Sequence, residues 1–190
     1  MSMAALPFRF NQRPVVVVMG VCGSGKSTVA STLAARLDLP FLDGDDFHPK
    51  ANVDKMSRGI PLADEDRWPW LSILGSAMRK AAEERGGVVA TCSALKQIYR
   101  THLSDAVGLP MVYALLDGSR ETLLKRMQAR KDHYMPPSLL DSQLAILEWP
   151  GPDEPVLTLS IEPAVDTIVD ELESSLVAMT DGTENSRRNS

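Results

Sequence analysis

The sequence predicts an α/β protein of three layers, a five-stranded parallel sheet with helices on both faces. Three observations carry this. Short β-branched apolar runs recur along the chain, stretches of helical periodicity separate them, and a glycine-rich turn joins the first run to the first helical stretch. Strands that alternate with helices are joined by crossovers, which makes them parallel and covers both faces of the sheet. At 190 residues the chain is long enough for one such domain.

Val15–Met19 (VVVVM) is a strand buried on both faces. A helical pattern follows through Leu37, with Val29, Leu33 and Leu37 at four-residue steps. Residues 41–43 form the second strand, Val88–Thr91 the third after the break at Gly86 and Gly87, residues 111–116 the fourth and 156–161 the fifth. Helical patterns cover about residues 70–84, 96–104, 119–129, 138–147 and 164–177. Residues 15–178 therefore make a single domain, with residues 1–14 an N-terminal extension. Residues 179–190, polar and without a core pattern, read as a disordered tail. The irregular stretch 44–69 is too long for a plain connection, so it carries function or folds partly on its own.

The formal net charge is −5. It argues against a nucleic-acid surface, which needs an excess of Lys and Arg. The total is uneven: residues 1–140 hold 18 Lys+Arg and 14 Asp+Glu, net +4, whereas residues 141–190 hold 2 and 11, net −9. The larger part has cations to offer anionic ligands. No stretch approaches the ~20 apolar residues of a membrane helix, and MSMAALPFRF lacks the apolar core and cleavage site of a signal peptide. Cys22 and Cys92 form no CxxC pair, and His48, His102 and His133 have no zinc-type spacing. Free thiols in a reducing, cytoplasmic compartment are the simplest expectation.

Gly20-Val21-Cys22-Gly23-Ser24-Gly25-Lys26-Ser27 fits GxxxxGK[ST], the phosphate-binding P-loop, and stands where it must, after a strand and before a helix. Backbone N–H groups and the helix N-terminus attract phosphate. Lys26 is expected to reach the β- and γ-phosphates and Ser27 to ligate Mg²⁺. This fixes a nucleoside triphosphate as ligand but no reaction. A guanine-reading NKxD element is absent from the sequence, and a small kinase fits the length.

On the acceptor side, Leu42-Asp43-Gly44-Asp45-Asp46-Phe47-His48-Pro49 ends the second strand, at the ligand edge of a parallel sheet. Asp43 and Asp45, two apart, point the same way if the chain is extended. One can serve Mg²⁺ through water while the other accepts a hydroxyl proton; an Asx-rich turn is the other reading. Lys96 and Arg100 share one helix face near an N-terminus, where cations oppose the helix dipole and an anionic ligand would explain them. A solvated basic face is the plainer alternative. Arg126, Arg130 and Lys131 close a helix before residues 133–137, which suggests a lid whose arginines stabilise a transferring phosphoryl group.

Together these motifs resemble the gluconokinases, small P-loop sugar-acid kinases related to shikimate kinase and the nucleoside monophosphate kinases. The resemblance spans about residues 15–170 and rests on MGVCGSGKST, FLDGDDFHP, CSALKQIYR, ARKDHYMPP and LEWPGPDEP in order, with Asn52, Lys55, Met56, Asp64, Asp66, Arg67 and Trp70 between them. It implies a three-layer P-loop NTPase fold with a substrate cap (about 47–69) and a lid (about 130–138). It also implies ATP-dependent phosphorylation of D-gluconate to 6-phosphogluconate with Mg²⁺, and commonly a homodimer. Gly20, Val21, Cys22, Gly23, Ser24, Gly25, Lys26, Ser27 and Thr28 would bind ATP. Ser27 and Asp43 would serve the metal, and Asp45 would be the base or hydroxyl anchor, although the two aspartates could exchange roles. Asp45, His48, Arg58, Ser93, Lys96 and Arg100 would bind gluconate, and Lys26, Arg126 and Arg130 would assist transfer. Met56, Ile60, Leu62, Trp68 and Trp70 are expected to pack the cap onto the core. Cys22 and Cys92, brought near each other if the first and third strands are neighbours, are either inert thiols or an oxidation-sensitive pair beside the loop.

Overall fold

The computed structural model describes residues 14–129 and 137–187, with side chains described through Met179. Arg130 and nearly all of the expected lid, 130–138, lie outside the described residues.

Five strands, β1 (Val15–Met19), β2 (Phe41–Leu42), β3 (Val88–Thr91), β4 (Met111–Asp117) and β5 (Val156–Ser160), form one sheet in the order β2-β3-β1-β4-β5. All pairs are parallel; β1 lies at the centre, with Val15 opposite Val88 on one side and Met111 on the other. The helices are α1 (Lys26–Leu37), α2 (Lys50–Ser57), α3 (Asp64–Arg85), α4 (Gln97–Val107), α5 (Arg120–Ala129), α6 (Pro137–Ile146) and α7 (Val165–Arg187).

The period of two in β1 divides the interior into two cores. Val16 and Val18 join Ala30 and Leu33 of α1, Val112 and Ala114 of β4, Leu140 of α6, and Ile168 and Leu172 of α7. Val15, Val17 and Met19 join Leu71, Leu74 and Met78 of α3 with Leu103 of α4 and Tyr113 of β4. Truncating one of the fully buried leucines, such as Leu33 or Leu74, to alanine should cost about 2–5 kcal/mol. The acidic C-terminal portion has a structural use: Arg36 of α1 bonds Asp166, Asp170 and Glu173 of α7.

The stretch 44–69 folds on its own, one of the two outcomes its length predicts: a 3-10 turn (Gly44–Phe47), then α2, then the start of α3. Two other local expectations change. Helix α3 begins at Asp64, before Pro69, because Asp64, Glu65 and Asp66 sit in its positive first turn and Asp66 accepts the Ala63 N–H at 2.9 Å. Pro69 removes one backbone bond from this turn, and the Asn52 and Lys55 contacts to Asp66 and the buried Trp70 hold the turn from outside. Helix α7 runs past residue 178, since no proline interrupts it where its buried pattern ends.

The cap is fastened by polar and apolar contacts together: Phe47 and, as expected, Trp68 pack partly buried against the core that contains α3. Asn52 donates to the Asp66 carbonyl at 2.8 Å, and Lys55 meets the Asp66 carboxylate at 2.6 and 2.7 Å. Trp70 is buried as expected, but Met56 and Ile60 are 41% and 44% exposed, so they do not pack onto the core.

Candidate active site

The phosphate loop leaves β1 at Gly20 and ends at Gly25, the N-cap of α1, which has no side-chain cap. The first N–H groups of α1 are therefore left for a ligand, and the helix dipole favours an anion there. Gly23 has φ +80°, and a Cβ on it would lie 2.8 Å from Met127 Cγ and 2.9 Å from the Leu123 carbonyl oxygen. Helix α5 packs straight onto the loop, and only glycine fits. Ser24 Oγ and Lys26 Nζ both donate to the Val21 carbonyl, at 2.9 and 3.0 Å, while the Cys22 N–H donates to Gln143 Oε1 at 2.6 Å. Burial pushes the Lys26 ammonium pKa down, opposed first by the charge of Asp45 and less by Asp43.

Asp43 joins the loop to the second strand. Ser27 Oγ donates to its Oδ2 at 2.8 Å, and Thr91 Oγ1 and the Asp45 N–H donate to its Oδ1 at 2.8 and 3.2 Å. Burial raises its pKa, but these bonds outweigh that and hold the carboxyl below its ordinary value. Thr91 Oγ1 also accepts the Gly44 N–H at 2.9 Å, and a Cβ on Gly44 would stand 2.1 Å from the Thr91 carbonyl oxygen. The chain is thus not extended across Asp43 and Asp45, as their spacing suggested. It turns, and the Asx turn and the site are one feature. The Asp45 side chain is 88% exposed and its Oδ1 lies 4.0 Å from His48 Nε2.

The Ser27 hydroxyl and Asp43 carboxylate are hard oxygen donors. They fit Mg²⁺, which takes one or two protein oxygens and completes its shell with phosphate and water. Among the described residues no cluster of three or more His, Cys, Asp or Glu offers an all-protein cage.

The acceptor side is an aromatic and cationic wall. His48 stacks on Trp70 at 4.1 Å and contacts Asn52 Nδ2 at 3.3 Å, while Trp70 Nε1 donates to the Gly44 carbonyl at 2.7 Å. Burial, then the charge of Arg67, lowers the His48 pKa to about 4, so the ring is neutral at pH 7. The Arg67 guanidinium lies 5.2 Å from the Tyr99 ring centre. Its Nε is a buried donor without a partner among the described residues. Lys96, the N-cap of α4, meets Asp64 at 2.9 and 3.1 Å, and Tyr99 also donates to Asp64.

The other expected site residues divide. Arg126 lies beside the loop, its Nη1 3.8 Å from where a Gly25 Cβ would be, and its Nη2 donates to the Ile161 carbonyl at 2.6 Å. The Ser93 carbonyl accepts the Gly20 N–H at 3.4 Å, which sets the end of β3 against the loop. Arg58 is exposed and donates to the Asp54 carbonyl of its own helix at 2.9 Å.

Arg100 is a correction: its side chain is 2% exposed and ion-paired to Glu154 at 2.6 and 2.9 Å. Its Nη1 turns to the carbonyls of Ala94, Leu95 and Glu148. It latches α4 to the loop before β5, and all three of its guanidinium nitrogens are engaged within the protein. Lys96 and Arg100 therefore do not form one anion-seeking face; each has a carboxylate of its own. The thiols are also apart in kind. Cys22 packs with Met127 on the α1 side of the sheet, and Cys92 is buried in the opposite core.

Arg67, Thr91 and Gln143 carry no signal of a role at the site in the sequence alone. The pair Asp66-Arg67 stands in the motif stretch, but nothing local says that its guanidinium reaches Tyr99. Thr91 looked like strand and Gln143 like an ordinary helix residue.

A family model described as an AAA domain matches residues 15–150. A gluconokinase from Gluconobacter oxydans is 50% identical over 157 residues, 83% of this chain and 88% of its own length. A probable gluconokinase from Schizosaccharomyces pombe is 49% identical over 156 residues, 78% of this chain and 80% of its own. The crystal structure of a gluconokinase from Sinorhizobium meliloti 1021 superimposes with a TM-score of 0.82 at 38% identity, covering 94% of this chain and 99% of that one.

Proposed function

We infer the reaction from kinship and site together: the chain belongs to the gluconokinase family and transfers the γ-phosphoryl group of ATP to an alcohol group of D-gluconate, the 6-hydroxyl, giving 6-phospho-D-gluconate. The observation that carries this reading at the level of the site is the Ser27–Asp43 hydrogen bond, which joins the phosphate loop to the acceptor-side strand at one point.

Residues 20–28 form the phosphate cradle, with the uncapped N–H groups at the start of α1 and Lys26 as its donors. Ser27 and Asp43 hold Mg²⁺, which when bound neutralises charge on the β- and γ-phosphate oxygens. Phosphoryl transfer asks little covalent chemistry of the protein and much positioning. Lys26, Arg126 and Arg130 offset the charge that spreads over the transferring group. Asp45, exposed in the cleft and in the field of Lys26, orients the 6-hydroxyl and accepts its proton.

Neutral His48 and Ser93 bond sugar hydroxyls. The gluconate carboxylate goes to Arg67, whose buried Nε has a bond to give; Lys96, paired with Asp64, lies against the same Tyr99 ring. Arg58 and Arg100 have no part in this assignment. Residues 47–69 act as substrate cap and 130–138 as lid. The enzyme works as a cytoplasmic homodimer. Among the described residues no helix is long and apolar enough to cross a membrane.

The test is ADP release from Mg·ATP with gluconate, shikimate or a nucleoside monophosphate offered singly, the product being identified by mass. Gluconate alone should give a phosphorylated product. Turnover with shikimate or a monophosphate but not gluconate would overturn the substrate assignment, and ATP binding without any product would overturn the kinase reading.

A further inference from the structure

We propose that Gln143 is a positioning residue for the phosphate loop, acting through the peptide unit between Val21 and Cys22 to set Lys26. The N–H of that unit, on Cys22, donates to Gln143 Oε1 at 2.6 Å. Its carbonyl, on Val21, accepts from Lys26 Nζ at 3.0 Å and from Ser24 Oγ at 2.9 Å. A peptide unit is planar and trans, so its N–H and C=O point in opposite directions and turn together. The bond at one end therefore fixes where the other end aims, and the Lys26 ammonium is docked on that end. Glycines at 20, 23 and 25, all at positive φ, leave the loop soft on either side of this plane, so an outside hold has an effect.

The hold comes from a fixed element. Leu140 of α6 is fully buried in the core, and Asp141 takes a two-point ion pair from Arg120 of α5 at 2.7 and 3.0 Å. Gln143 itself is half-buried. Its bond does not compete with phosphate for the uncapped N–H groups of α1, which lie at the other end of the loop. The side chain touches neither reacting group; it preorganises the lysine that does.

The inference rests on the ATP-binding reading of the loop. Gln143→Leu keeps the volume and removes the acceptor, and Gln143→Asn keeps an amide but withdraws it by one methylene. Each should lower kcat/KM for ATP about three- to tenfold, the worth of one net hydrogen bond, with the KM for gluconate within about twofold of the unsubstituted value. In the same variants the Cys22 amide should exchange with solvent at least about tenfold faster while the Val16 and Val17 amides of β1 keep their rates. Unchanged kcat/KM for ATP, unchanged Cys22 exchange, or a gluconate KM that rises in step would overturn the proposal. If the unsubstituted protein failed to bind ATP, the reading of the loop would fall and this inference with it. If that protein bound ATP and both variants matched it, the inference alone would fall.

Discussion

Ser27 Oγ donates to Asp43 Oδ2 over 2.8 Å, so the last residue of the phosphate-loop motif and the residue just after the second strand share one hydrogen bond. Asp43 is held from three sides and kept ionised. Asp43→Asn preserves the shape and removes the charge. The Mg²⁺ concentration for half-maximal activity should then rise about 10–100-fold, as when a group that orients a metal ligand is lost. Magnesium titration of initial rates measures it, and an unshifted midpoint would rule out Asp43 as part of the metal shell.

Lys26 is half-buried, its ammonium pKa lowered by desolvation, and docked on its own loop. Lys26→Ala should cost at least about 3 kcal/mol of transition-state stabilisation, a hundredfold or more in kcat/KM. Near-normal turnover would remove the lysine from the mechanism.

Arg67 has a buried Nε and a guanidinium lying over Tyr99. Arg67→Met should raise the gluconate KM about ten- to a hundredfold, the worth of hydrogen bonds to a charged group, and leave the ATP KM within about twofold. Equal rises in both constants would speak against a carboxylate contact.

Arg100 should behave in the opposite way. Arg100→Met leaves the Glu154 carboxylate buried without its partner and should cost about 3–5 kcal/mol of stability in urea unfolding, with the gluconate KM unchanged. Adding Glu154→Met should recover most of that loss, because an apolar pair replaces the ions. A raised gluconate KM in the folded double variant would return Arg100 to the site.

His48 gives the protein an acid-sensitive element. The unfolded chain protonates this ring near pH 6.5, whereas the folded chain resists until about pH 4, through burial and the charge of Arg67; Asp45 is the carboxylate that faces it. Stability is fully present above pH 6.5 and falls as the pH drops toward 4, by on the order of 3 kcal/mol. His48→Phe keeps an aromatic ring against Trp70 and removes the titration. The urea midpoint of the unsubstituted protein should fall relative to that of the variant as the pH drops across this window. Parallel curves would mean that His48 contributes nothing to the acid response beyond the carboxylates.

Residues close in sequence announced the sheet and the nucleotide. The valines of β1, the turn at Gly20–Ser27 and the four-residue steps of α1 each lie within a few residues, and the structure keeps their boundaries. The aspartates at 43 and 45 stand out in the sequence as candidates, but not the turn in which Asp43 accepts the Asp45 N–H. Cations were the least legible. Lys96 and Arg100 looked alike as a helix-face pair, yet Arg100 finds its carboxylate 54 residues away, and Arg67, within the expected cap, comes to lie over Tyr99.

Local sequence dictates what each short stretch of chain does: which segments are strands, where the glycine-rich loop stands between β1 and α1, and which family of motifs is present. Tertiary structure decided which charges are spent and which are free. It made Arg100 a latch, left Arg67 a bond to give, and set Gln143 against the loop. The reason is physical. Periodicity and motif spacing are short-range properties of a chain, whereas the partner of a buried charge is chosen by whichever distant segment packs against it, once desolvation makes an unpaired ion too costly to keep.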